Sequence, residues 1–246
     1  MTTKRRVYTS LEASLQADIP VLIPAFNNPT YVGGMVAQLL DRGLCNVIVI
    51  DNASTTLEMR RYLDVIAGLV KVVRLAENRG PHHPFRHDPS FHWLPDLFCI
   101  TDPDLQLNPN LPADFLADLA AVTERFQVGK AGFALDISEP HIMRDEPVVI
   151  GENAYQICEW EQRFWNIEVG TMDGGDPIYK AEIDTTFALY NKKYFRRDNA
   201  LDAVRVAGRY TCRHLPWYKD SGLPPAEEEC YRSSQKFSNY LKKVSG

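Results

Sequence analysis

The chain has 246 residues, 45% of them hydrophobic, which is enough for one substantial core and sets one domain or a fused pair as the natural range. A formal net charge of −5 and a pI near 5.7 provide no basic field, so nucleic acid is excluded as the expected partner. Basic pairs such as Arg60-Arg61, Lys192-Lys193 and Arg196-Arg197 are short, interleaved with acids, and read as solvated faces.

The opening residues, MTTKRRVYTSLEASLQAD, are basic but lead into no continuous apolar segment, which argues against a secretory signal. No apolar run reaches the length of a bilayer span. The five cysteines are odd in number, scattered and free of any C-x-x-C, a usage that fits reduced thiols in a cytosolic protein. The expectation is a cytoplasmic protein, with attachment to the inner face of a membrane left open.

Five short, continuous apolar runs then follow one another at 19–26, 46–51, 70–75, 97–101 and 128–135. Continuous rather than alternating apolarity predicts strands buried on both faces, as in a parallel sheet covered by helices. Helical patterns at 31–42, 57–67 and 113–126 lie between them. Strand alternating with helix predicts an α/β fold with an open, mostly parallel twisted sheet. Further on, 152–169 is expected to be helical, while 185–191 and 202–208 read as strands. The stretch from 224 on begins with prolines and acids, as a helix N-terminus does, and Cys230, Phe237, Leu241 and Val244 recur at helical spacing. No Gly/Ser/Pro linker divides the chain, so a single domain over 1–246 with an elaborated second half is expected.

In an open α/β sheet, ligands gather beyond the carboxyl ends of the strands. The first four predicted strands end in Asn27-Asn28, Asp51-Asn52, Glu77-Asn78-Arg79-Gly80 and Asp102-Pro103-Asp104. Each alone is ordinary turn chemistry, but four polar ends on one sheet edge make a candidate site. Two carboxylates separated only by Pro103 repel one another unless they face a cation or donors.

These segments, VLIPAFNNPTYVGGMVAQLL, VIVIDNAST, ENRGPHHP and FCITDPDLQL, resemble the nucleotide-sugar glycosyltransferases of the GT-A type, in particular the large family-2 group. The resemblance is clear over 19–110 and weaker to about residue 220; it implies a nucleotide-binding half over 19–110 and an acceptor-side half over 111–246. It further implies that Pro24 and Phe26 at the end of the first strand, with Asp51 and Asn52, hold the nucleoside. Asn78, Arg79 and Gly80 would border base and ribose. Asp102 would hold the ribose, and Asp104 a Mn²⁺ or Mg²⁺ ion completed by His214, which precedes Trp217-Tyr218. The implied donor is a nucleoside-diphosphate sugar, with uridine favoured. The acceptor would be a glycan or lipid-linked precursor of a bacterial surface polysaccharide or lipopolysaccharide. Lys242-Lys243 and Tyr240 would permit peripheral membrane contact. Hard divalent cations prefer carboxylate oxygens and offset the charge growing on a departing diphosphate.

An inverting reaction needs a carboxylate base for the acceptor hydroxyl. Asp184, just before a predicted strand, is the first candidate, and Glu161, among Trp160, Phe164 and Trp165, is the second. The histidines of GPHHPFRHDPSFHW suggest a rival zinc hydrolase, but Pro81, Pro84 and Pro89 are expected to prevent the helix that would align His83 with His87. A sugar nucleotidyltransferase or a dinucleotide dehydrogenase would want a glycine-rich loop after the first strand, which PAFNNPTYVGG does not supply. A non-catalytic sugar-nucleotide-binding or scaffolding relative is the remaining alternative.

Overall fold

The computed structural model describes residues 9–150 and 152–234. The first half alternates α1 (Ser10–Asp18), β1 (Val21–Ala25), α2 (Pro29–Asp41), β2 (Val47–Asp51), α3 (Leu57–Ile66), β3 (Lys71–Arg74), α4 (His83–Arg86), α5 (Asp88–Trp93) and β4 (Leu97–Ile100). There follow β5 (Leu105–Leu107), α6 (Phe115–Phe126), β6 (Lys130–Phe133), β7 (Val148–Ile150), β8 (Asn153–Tyr155) and α7 (Ile157–Gln162). The last elements are β9 (Glu168–Thr171), β10 (Pro177–Lys180), β11 (Ala188–Asn191), β12 (Val204–Val206), β13 (Cys212–His214) and α8 (Pro225–Ser234).

One nine-stranded sheet runs through both halves in the order β3-β2-β1-β4-β11-β6-β12-β10-β9. Its pairings orient every strand but β10 and β11 the same way, so the sheet is mostly parallel in direction. All five residues of β1 are buried, as the continuous apolar run requires of a strand covered on both faces. Alternate residues feed two cores: Val21, Ile23 and Cys99 pack toward α2, α3 and α6, whereas Leu22, Phe98 and Ile100 pack toward α4 and α5 with Phe85 and Tyr190. Phe98 stacks on Tyr190 at 4.8 Å between centroids. Gly132 is needed where β6 meets β11, since a Cβ there would fall 2.4 Å from the Phe187 carbonyl oxygen.

Helix α1 is fastened to α6 by its own acid. Thr9 caps α1 by accepting the Glu12 N–H, and the buried Glu12 carboxylate accepts the Ala117 N–H at 2.7 Å, in the first turn of α6. Burial pushes the Glu12 carboxyl up to about 7 against the pull of these bonds.

Three expectations are corrected. Residues 152–169 do not form one helix. They divide into β8, the six-residue α7, a 3₁₀ turn at Arg163–Trp165 and the start of β9. The cause is tertiary: β8 pairs with β7, β9 pairs with β10, and Gln156 starts α7 in a capping box with Glu159. The prolines of the histidine segment also do not bar helix. Pro84 and Pro89 stand in the first turns of α4 and α5, where no N–H is missed, and the His83 and His87 rings lie 4.8 Å apart. Finally, within α8 the deeply buried side chain is Tyr231, while Cys230 is only half-buried. Phe237, Tyr240, Leu241, Lys242, Lys243 and Val244 lie outside the described residues.

Candidate active site

The chain runs outward from β1 through β2 to β3, then returns to place β4 on the other side of β1. The loops after β1 and β4 therefore diverge, and a cleft of about 460 Å³ opens at this switch point. Pro24, Phe26, Asn52, Asn78 and Gly80 line it. Asp102, Asp104, His214, Glu161 and Asp184 line it as well.

Two expected residues are not on the cleft wall. The Asp51 carboxylate is buried and accepts the Ser54 N–H at 3.0 Å, closing the turn after β2. The Arg79 side chain is exposed and pairs with Glu77 at 3.1 Å, although its backbone N–H ties the loop to Asn52. The neighbouring Asn27 instead ties the loop after β1 to the loop after β2. It sits at φ +53°, a conformation asparagine tolerates, and its side chain bonds Thr55 and Thr56 across the gap between the β1 and β2 loops.

Asp102 is held at both backbone and side chain. Its N–H donates to the Thr185 carbonyl at 2.9 Å, and its Oδ2 accepts the Thr185 hydroxyl at 2.8 Å. Burial, then the Asp104 charge, pushes its carboxyl upward. Asp104 is treated differently. Burial would raise it, but the His214 imidazole and the Tyr231 hydroxyl hold it below the usual carboxylate range. Tyr231 donates to Asp104 Oδ2 at 2.8 Å, whereas Asp104 Oδ1 is buried with no hydrogen-bond partner. His214 Nε2 lies 3.5 Å from that oxygen, beyond good hydrogen-bond geometry, and His214 Nδ1 is likewise buried and unpaired. Burial alone would lower His214, but the Asp104 carboxylate outweighs it and the imidazole pKa is raised. β13 delivers His214 here by pairing with β5, which sets it opposite Leu105, one residue after Asp104.

Two further acids of the cleft are paired. Glu161 forms a buried ion pair with Arg205, whose Nε also donates to the Glu182 carbonyl at 2.7 Å. The Arg205 guanidinium lies 4.2 Å from the Phe164 ring centroid. Asp184 bonds His82 Nε2 with its side chain 60% exposed. Burial pushes the Asp184 carboxyl up, but the His82 bond, then the charges of His82, Lys130 and Arg86, leave it lowered overall. Lys130 lies beneath, its ammonium donating to the Ile183 carbonyl, and burial pulls it down to about 8. Among the described residues no group of three or more His, Cys, Asp or Glu is arranged to hold a metal by itself. No helix of the described residues is long and apolar enough to cross a membrane.

Residues 21–123 match the family model described as glycosyl transferase family 2. Over that segment the chain is similar to the family-2 glycosyltransferases. The match takes in β1 to β5 and most of α6, and with them Asp102 and Asp104. No curated relative matches the chain. Among solved structures, GalNAc-T7 with UDP, GalNAc and Mn²⁺ is similar at 12% identity and a TM-score of 0.46, covering 81% of this chain and 44% of that one. TarS 1-349 of S. aureus is similar at 13% identity and a TM-score of 0.43, covering 80% and 60%. The chain thus spans about half the length of these two structures.

The cleft residues that sequence reasoning missed are Thr185, Arg205 and Tyr231. Thr185 stands beside Asp184 and could have been noticed. Nothing local marks an arginine in a strand or a tyrosine in a helix as facing a site 127 residues away.

Proposed function

We propose that the protein is a metal-dependent, inverting glycosyltransferase that moves a sugar from a uridine-diphosphate sugar to an acceptor hydroxyl. The observation that carries this reading is Asp104 Oδ1, buried without a hydrogen-bond partner and 3.5 Å from His214 Nε2 in the cleft, with His214 Nδ1 likewise buried and unpaired. Buried polar atoms are rarely left unpaired, because desolvation without compensation costs roughly 1–3 kcal/mol each. One carboxylate oxygen and one imidazole nitrogen 3.5 Å apart suit a Mn²⁺ or Mg²⁺ ion that takes its remaining ligands from phosphates and water. When bound, such an ion would stabilise the charge developing on the diphosphate.

The protein's own residues do the rest. Asn52, Asn78 and Phe26 enclose the nucleoside end, and Asp102, fixed by Thr185, presents its free oxygen to the ribose. Asp184 is the general base: its carboxylate is ionised at neutral pH, reaches the cleft, and accepts the acceptor's proton as the glycosidic bond opens. Glu161 is the poorer base, because taking up a proton would break a buried ion pair with Arg205. The acceptor is assigned to a glycan or lipid-linked precursor of a bacterial surface polysaccharide or lipopolysaccharide, met at the inner face of the membrane.

Thermal unfolding with a panel of nucleoside diphosphates, each with Mn²⁺ and with chelator, tests the donor reading. A ligand at about a hundred times its dissociation constant adds roughly 2.7 kcal/mol. One diphosphate should raise the melting temperature with Mn²⁺ and not with chelator. Folded protein that responds to none would point to a non-catalytic module.

A further inference from the structure

The hydroxyl of Tyr231 donates to Asp104 Oδ2 at 2.8 Å, and it comes from α8 at the far end of the described chain. The Tyr231 ring is 7% exposed and meets Tyr31 of α2 edge-on, with centroids 5.6 Å apart and planes at 86°. The helix that carries it is tied down on several sides. Glu227 accepts both the N–H and the hydroxyl of Thr30 at 3.0 and 2.6 Å, Glu228 pairs with Arg144, and Arg232 pairs with Glu146 at 3.1 Å. An ordered helix thus places a neutral donor on Oδ2 of the carboxylate and leaves Oδ1 bare toward His214.

A free carboxylate can give a cation one oxygen or two. Ca²⁺ accepts six to eight oxygens at about 2.3–2.6 Å and often takes carboxylates through both oxygens, whereas Mg²⁺ demands an octahedron at about 2.0–2.1 Å. We propose that Tyr231 is a positioning residue that restricts Asp104 to a single ligating oxygen, so that the site prefers small octahedral cations such as Mn²⁺ and Mg²⁺ over Ca²⁺. This rests on the reading of Asp104 and His214 as metal ligands. It assigns cation choice to a side chain that does not touch the cation, and it makes α8 part of the metal site.

The test is direct Mn²⁺ binding by electron paramagnetic resonance, with and without UDP, followed by Ca²⁺ competition. The proteins are the full-length chain and its Tyr231→Phe and Glu227→Gln variants. Hydrogen-bond partners of ligating groups typically contribute 10- to 100-fold in metal affinity. Tyr231→Phe should weaken Mn²⁺ by about tenfold and move the Ca²⁺/Mn²⁺ preference toward Ca²⁺ by a similar factor. Glu227→Gln loosens α8 without touching Asp104 and should move both quantities the same way by less. It also supplies the answer if the phenylalanine variant does not fold. Wild-type affinity and wild-type cation preference in the variants that fold would overturn the role of Tyr231 while leaving the metal reading intact. Wild-type protein that takes up no Mn²⁺, alone or with UDP, would overturn the metal reading and this inference together.

Discussion

Glu161 and Asp184 line one cleft, one paired with a guanidinium and the other with an imidazole, yet they are opposite in kind. The Glu161 side chain is 2% exposed and closed on by Arg205, while the Asp184 side chain is 60% exposed and held by His82. Burial pushes the Glu161 carboxyl up against the pull of Arg205, but a proton taken there would strand the buried guanidinium. An open carboxylate can accept a proton and return it to water. Residue type and proximity to a cleft are therefore insufficient to identify a base; the partner and the access decide.

The comparison can be broken most decisively at Asp184. Replacing it with asparagine should leave donor binding in place and lower kcat by roughly 10²- to 10⁴-fold, the usual worth of a general base. Normal turnover in this variant, measured with donor in excess, would transfer the role to Glu161. Glu161→Gln probes the other side. It leaves Arg205 buried without its counter-charge and should destabilise the fold by about 3–5 kcal/mol in denaturant titration. A loss of activity with stability unchanged would contradict the structural role.

Glu12 supplies the intermediate case, a buried acid with no cation bonded to it among the described residues. Its carboxyl lies at about 7 against an ordinary 4.5, so the folded state holds the proton more tightly than the unfolded chain does. Below pH 4.5 both states are protonated, and nothing is lost. As pH rises from 4.5 to 7 the unfolded chain ionises first, and stability should fall by up to about 3 kcal/mol, at roughly 1.36 kcal/mol per pH unit. The stability difference between wild type and Glu12→Gln should track that decline, and a difference flat across this window would refute it.

The smallest effect concerns His82. Its pairing with a largely exposed carboxylate should contribute no more than about 1 kcal/mol to stability. In kinetics it should be visible, since His82 helps to hold Asp184 low. His82→Ala should therefore move the acidic limb of the kcat/KM profile to higher pH, as a less acidic Asp184 ionises later. An unmoved limb would detach His82 from the base.

The sheet's first four strands were legible from residues alone because continuous apolar runs and the turns that end them are local signals, but burial on both faces fails for β3, which lies at the sheet edge with no buried residue. The edge that gathers Phe26, Asn52, Asn78, Asp102 and Asp104 followed from that alternation. Residues 152–169 were misread because the helical spacing of their apolar residues was overridden by strand pairing to β7 and β10, whose partners lie elsewhere in the chain. Asp51 shows the same limit at a single side chain. Its place at the strand end was readable, but the Ser54 N–H that claims its carboxylate was not.

The sequence by itself determined an α/β fold, the edge on which a site would form, and the acids that occur there. Tertiary structure alone decided what each acid faces: guanidinium for Glu161, imidazole for Asp184, a threonine hydroxyl for Asp102, a tyrosine hydroxyl and a bare oxygen for Asp104. The division has a physical cause. Strand and turn propensities act between near neighbours, whereas the charge state and access of a carboxylate depend on groups brought to it by packing, here from as far as 127 residues along the chain.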